Sequence, residues 1–142
     1  MFRRDHRAEA LAARIDHLME AVFVADDRER LTRLADHLAA DFVYVSPEAV
    51  FDGAQGLSDA FARYRRETWR ETVLRRTSAL ETHHGYFRYS WERVERGVVV
   101  MEGWGFGSVD ESGAIDRVVA FEGLVPGAQA DPSPRAADGT AG

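Results

Sequence analysis

The chain has 142 residues, 45% of them apolar and 30% charged, with a net charge of −6. That is one domain, large enough to bury a core without staples, and its acidic balance excludes duplex nucleic-acid binding, which needs a basic face. The absence of cysteine excludes disulfides, thiolate zinc sites and cysteine nucleophiles.

The N-terminus starts with Arg3 and Arg4 but runs into Glu9, Arg14 and Asp16, so no apolar stretch of a secretory signal follows. No apolar run approaches the ~20 residues of a membrane span. A cytoplasmic protein with no membrane partner is expected.

From Ala8 to Val24, Leu11, Ile15, Leu18 and Val22 recur in steps of four, three and four, the apolar stripe of a helix with Asp5 as its N-cap. Asp26 with Glu29 forms a capping box for a second helix carrying Leu31, Leu34, Ala35 and Leu38. His6 and His17 read as exposed helix, and His37 as a rim residue. Asp41 to Ser46 is β-branched and aromatic, a strand stopped by Pro47. A turn and a short returning strand lead to Asp52-Gly53, and Leu57 to Tyr64 is a third helix. It runs into charged residues up to Arg70, interrupted by Trp69.

From Glu71 onward the pattern is strands. Thr72 to Thr82 reads as one long strand, broken at His83-His84-Gly85. Tyr86 to Val94 follows, with Phe87, Tyr89 and Trp91 on one face and Arg88, Ser90 and Glu92 on the other. Glu95-Arg96-Gly97 is a hairpin turn, Val98 to Val109 a strand, Asp110 to Gly113 a second turn, and Ile115 to Val125 the last strand. Gly103, Gly105 and Gly107 alternate along the penultimate strand, which implies strong curvature or a tightly packed neighbour on that face. The tail 126–142 is rich in Pro, Gly, Ala and Asp without an aromatic residue, the composition of a disordered segment. The domain therefore spans residues 1–125.

Helix, helix, strand, helix and then a meander of long strands, with Ala40 to Pro47, Asp52-Gly53 and Gly113-Ala114-Ile115, resembles the nuclear-transport-factor-2-like superfamily. His83-His84 with Arg88 and Trp91, then Glu102-Gly103, is similar to its SnoaL-like polyketide-cyclase and ketosteroid-isomerase-like members. The resemblance implies an α+β fold: a cone-shaped barrel of strongly curved, mainly antiparallel sheet with three helices packed on it. It also implies a small apolar ligand, a homodimer through the sheet and no cofactor.

Carried over residue by residue, the isomerase machinery is missing. Its general-base aspartate corresponds to Ser46, its hydrogen-bonding acid to Gly105 and its tyrosine donor falls near Val22. The epoxide-hydrolase signature is absent, because Ser90 stands two positions after Arg88. Tyr44, His83 or His84 and Tyr89 supply the residue types of the dehydratase members.

The expected chemistry is cofactor-free cyclisation, isomerisation or dehydration of an apolar oxygenated substrate. His84 or His83 is the candidate base, since imidazole titrates near neutral pH, although adjacent strand residues cannot both face one pocket. The plain reading is that both cap the turn before Gly85. Their spacing makes a poor metal site, and none is expected. Glu122 interrupts an apolar strand and is the candidate acid, or else a carboxylate at the mouth paired with Arg88 or Arg117. Tyr44, Ser46 and Arg88 would hold a ligand oxygen, with Trp91 and Phe121 forming the wall. The alternatives are a non-catalytic ligand-binding protein or a dimerisation module.

Overall fold

The computed structural model describes residues 6–69 and 71–123. Asp5, Arg70, Val125 and the tail 126–142 lie outside the described residues. The helices are α1 (His6–Ala21), α2 (Asp27–Ala35) and α3 (Gly53–Glu67). The strands are β1 (Leu38–Val45), β2 (Val50–Asp52), β3 (Thr72–Arg76), β4 (Glu81–His83), β5 (Tyr86–Glu95), β6 (Val98–Val109) and β7 (Ile115–Glu122). They form one sheet in the order β2-β1-β7-β6-β5-β3, with β4 also paired to β5. Among the described residues only β1 and β7 run parallel; the other pairs are antiparallel.

The fold is the expected α+β arrangement, three helices against a mainly antiparallel sheet. It differs in closure: among the described residues β2 and β3 end the path unpaired to each other, so the sheet is open rather than a barrel. Register shifts at Arg93/Val94 and Ser108/Val109 are the bulges that bend it.

The helix stripe of α1 is buried as its spacing requires, through Leu11, Ile15 and Leu18. These residues meet Leu34, Phe42, Leu57, Phe61, Ile115 and Val118 in one core. Asp26 caps α2 by accepting from the Glu29 backbone N–H at 2.8 Å. A bidentate pair, Arg76 Nε to Asp16 Oδ1 at 3.0 Å and Nη2 to Oδ2 at 2.8 Å, ties α1 to β3.

Two boundaries depart from expectation. Leu38 belongs to β1, because the Asp36 and His37 N–H groups close α2 onto Thr32 and Leu34 while the His37 carbonyl accepts from Ile115 N–H at 3.0 Å. The long strand at 72–82 is two strands. Between them the Ser78 hydroxyl accepts from the Ser90 N–H at 2.8 Å, taking the place of a ladder carbonyl, and Leu80 turns into the core.

Candidate functional site

The alternation read along β5 places Phe87, Tyr89 and Trp91 on the concave face, each 8% exposed or less. Each aromatic residue stands opposite a glycine of β6: Phe87 opposite Gly107, Tyr89 opposite Gly105, Trp91 opposite Gly103. The alternating glycines are thus explained by close packing. A Cβ at any of the three would run into the facing ring. Phe87 and Tyr89 stack along the strand, with ring centroids 6.1 Å apart.

Above this ladder, between α1, α3 and the sheet, lies a cavity of about 450 Å³, within the range of small-molecule sites. Its depth is apolar: Leu18 and Val22 from α1 or its end, Leu57 and Phe61 from α3, and Leu74, Met101 and Val118 from the sheet. Tyr44, Tyr89 and Trp91 form its wall. Burial pushes both phenols above the usual tyrosine range, so they remain neutral hydrogen-bonding groups.

The open end is polar. Ser46, Glu48, Tyr64, Thr68, Trp69, Arg93 and Glu122 line it. The Ser46 N–H donates to Ala49 O at 2.9 Å and its hydroxyl accepts from Ala49 N–H at 3.2 Å. This closes the 46–49 turn and presents Glu48. The β1–β7 register, Val45 opposite Val119, carries Glu122 to the same end. Partial burial, then the neighbouring Glu48, holds the Glu122 carboxyl above the usual carboxylate range, against the opposing pull of Arg93. Arg93 lies over the Trp69 ring, 5.2 Å from its centroid, and its Nε is buried without a hydrogen-bond partner among the described residues.

Of the residues singled out from sequence, Tyr44, Ser46, Trp91 and Glu122 line this cavity, and His83, His84, Arg88 and Phe121 do not. His83 ends β4 opposite Tyr86. His84 and Gly85 make the two-residue hairpin loop, with φ of 52° and 82°. Both histidines are exposed. Histidine tolerates this left-handed backbone better than most residues, which accounts for its place in the turn. Arg88 faces outward and donates from Nε to Glu81 Oε1 at 2.7 Å. Phe121, 53% exposed, meets Phe106 edge-on at 5.7 Å on the convex face. The carboxyl neighbour of Glu122 is Glu48, and the cation beside it is Arg93 rather than Arg88 or Arg117.

Glu48, Arg93, Tyr64 and Trp69 are the site residues not singled out from sequence. Arg93 was within reach, because the parity of Phe87, Tyr89 and Trp91 continues to it. Glu48 carries no periodic signal, since it sits in a turn. Among the described residues no group of three or more His, Asp or Glu side chains could hold a metal ion, and no helix is long and apolar enough to cross a membrane.

No family model matches the chain, and no curated protein matches it significantly. Solved structures do. A SnoaL-like family protein from Agrobacterium tumefaciens, proposed to be an isomerase, superposes with a TM-score of 0.73 at 21% identity, over 83% of this chain and 98% of that one. A protein from Sinorhizobium meliloti, proposed to be a polyketide cyclase, gives 0.61 at 13% identity over 80% and 98%. A Methylobium petroleophilum protein of unknown function with a cystatin-like fold gives 0.65 at 14% identity over 93% and 84%. These likenesses establish the fold that the sequence resemblance implied.

Proposed function

We propose that the cavity binds a small, mostly apolar, oxygenated molecule and carries cofactor-free proton-transfer chemistry of the isomerase, cyclase or dehydratase kind. The observation that supports this reading is the cavity itself: an apolar depth closed by neutral phenols, with Glu48 and Glu122 at its mouth. Tyr44 is the hydrogen-bond donor for a ligand oxygen, and Glu122 is the acid or orienting carboxylate. Ser46 acts through the turn that carries Glu48. His83 and His84, outside the cavity, have no part in this scheme.

Glu122→Gln keeps the shape of the mouth and removes its proton chemistry. Ketones that raise the melting temperature of wild type should still do so in this variant, while turnover falls roughly 100-fold or more. Equal turnover in both proteins would remove Glu122 from the mechanism. Stabilisation of wild type without turnover of any stabilising ketone would favour the non-catalytic binding protein.

We also propose that two copies associate through the convex face of the sheet, where Phe106 and Phe121 are 38% and 53% exposed. Phe121→Asp should shift sedimentation towards the monomer without altering ligand binding. A wild type that sediments as a monomer at all concentrations would end that idea.

A further inference from the structure

We propose that Arg93 anchors the ligand through a neutral carbonyl oxygen, so that the cavity takes compounds with an apolar body and a carbonyl group at the end facing its mouth. This rests on the reading of the cavity as a ligand site. It adds the anchor, the direction in which the ligand lies and its charge.

The first observation is the place of Arg93 in the sheet. It continues the parity of Phe87, Tyr89 and Trp91 along β5 and lines the cavity. Its ladder neighbours are Leu74 on β3 and Met101 on β6, which line the cavity as well. Neither offers an oxygen. A full charge thus stands in a row of apolar side chains, which is unfavourable unless something pairs with it.

No described residue does so. Arg30, Arg33, Arg75, Arg76, Arg88 and Arg96 each have a carboxylate partner, and Arg93 is not among them. Its Nε is buried without a hydrogen-bond partner among the described residues. A buried donor left unmade is unfavourable, and an acceptor oxygen beside this guanidinium would relieve it. Trp91 Nε1 is buried without a partner too, but it lies elsewhere. The ring carbon that carries it, Cε2, is 2.6 Å from where a Cβ on Gly103 would stand. That donor is packed against β6, so the anchor is Arg93.

The second observation is what holds the guanidinium. It lies over the Trp69 ring, 5.2 Å from the centroid. Trp69 is itself fixed by Tyr64, Phe61 and Phe23, with ring centroids 4.9, 5.4 and 5.9 Å away. A guanidinium over a ring is attracted through its face, which leaves the N–H groups around its rim free to donate. The cation is therefore in place before a ligand arrives.

The third is charge. Arg93 shares the open end of the cavity with Glu48 and Glu122. An anionic ligand would be repelled by ionised carboxyls there, and a cationic one would sit beside Arg93 and leave it unpaired. A neutral carbonyl meets neither penalty and accepts from the guanidinium. Tyr44 remains for a second oxygen where a ligand carries one.

The test has two arms, and the first needs no ligand. If Arg93 serves a ligand rather than the fold, methionine between Leu74 and Met101 should hold or raise the midpoint of urea unfolding. A lower midpoint in Arg93→Met overturns the proposal.

The second arm compares 2-tetralone with tetralin, the same body without the oxygen, by calorimetric titration. The preference of wild type for the ketone should fall about tenfold in Arg93→Met. The C=O stretch of the bound ketone should lie lower in wild type than in Arg93→Met, the mark of a hydrogen bond donated to that oxygen. Tyr44→Phe should keep the lowered frequency. An unchanged preference or frequency in Arg93→Met overturns the anchor and leaves the cavity standing as a ligand site. Tetralin-2-carboxylate bound more tightly than the ketone, with the advantage lost in Arg93→Met, overturns the neutral class in favour of an anion. Failure of both 2-tetralone and tetralin to bind, with the urea result as expected, overturns the ligand reading beneath and the class with it.

Discussion

Replacing Arg30 by methionine is expected to destabilise the protein by roughly 2–3 kcal/mol, the loss that follows when the buried Ser58 hydroxyl and Val24 carbonyl are deprived of a shared donor. Arg30 is 1% exposed. Its Nε donates to Ser58 Oγ at 2.7 Å, Nη1 to Val24 O at 2.9 Å, and Nη2 to Asp27 Oδ1 at 2.6 Å. One guanidinium therefore joins the α1–α2 connection, the first turn of α2 and the middle of α3. Methionine fills the space but leaves the Ser58 hydroxyl without this donor and takes one from the Val24 carbonyl. Arg65 Nη1 still reaches Val24 O at 3.1 Å, which limits the damage at that carbonyl. Lysine should rescue little, because a single ammonium cannot serve three directions at once. Ser58→Ala, which removes one bond, should be milder, near 1 kcal/mol. Urea unfolding of the three variants decides the matter, and equal losses for Arg30→Met and Ser58→Ala would show that the network is not held through Arg30. Because α3 supplies Leu57, Phe61 and Tyr64 to the cavity, the same variant should also weaken ligand binding.

The second large effect lies under the aromatic ladder. Alanine at Gly103 or Gly107 should destabilise the sheet by about 3 kcal/mol or more, beyond the usual range for an added methyl in a packed core. The added carbon would meet both an aromatic ring and a backbone carbonyl, Phe121 O at Gly103 and Arg117 O at Gly107. A carbonyl in a strand ladder cannot step aside. At Gly105 the nearest atoms all belong to the Tyr89 side chain, including its hydroxyl at 2.6 Å from the new carbon. Shortening Tyr89 should therefore restore part of the stability lost in Gly105→Ala, a coupling that a double-mutant cycle measures. Shortening Trp91 should not do the same for Gly103→Ala. If both pairs show equal rescue, ring contact alone sets the spacing of the glycines. Tyr89 also fills the place over Gly105 from which the acid of the isomerase machinery would have to project.

The order of helices and strands was legible because it rests on local periodicity: the stripe through Leu11, Ile15 and Leu18, the capping box at Asp26, the alternation along β5. Boundaries were lost where side chains rather than propensity decide them. Ser78 splits a run that reads as one strand, since its hydroxyl serves the ladder from outside it. Leu38 fits the stripe of α2 and is taken into β1 by pairing with Ile115, far away in sequence. The site divides the same way. Glu122 and Tyr44 stand out as polar groups within apolar strands. Glu48 does not, because what makes it notable is the turn that faces it towards Glu122. His83 and His84 catch the eye as a chemical pair, yet the backbone angle at the hairpin gives His84 a reason to be there that involves no chemistry, and His83 only ends β4.

The parallel pairing of β1 with β7 bears on how the chain reaches its native state during synthesis. The first strand to emerge from the ribosome waits for the last, with the whole meander made in between. Until Ile115 to Glu122 has been translated, β1 exposes the edge that β7 will occupy and the cavity lacks the wall carrying Val118, Ala120 and Glu122. Contacts that close such long loops slow folding. The nascent chain therefore carries an open, half-apolar sheet edge for most of its translation, and shortened products that stop before β7 would be the aggregation-prone species.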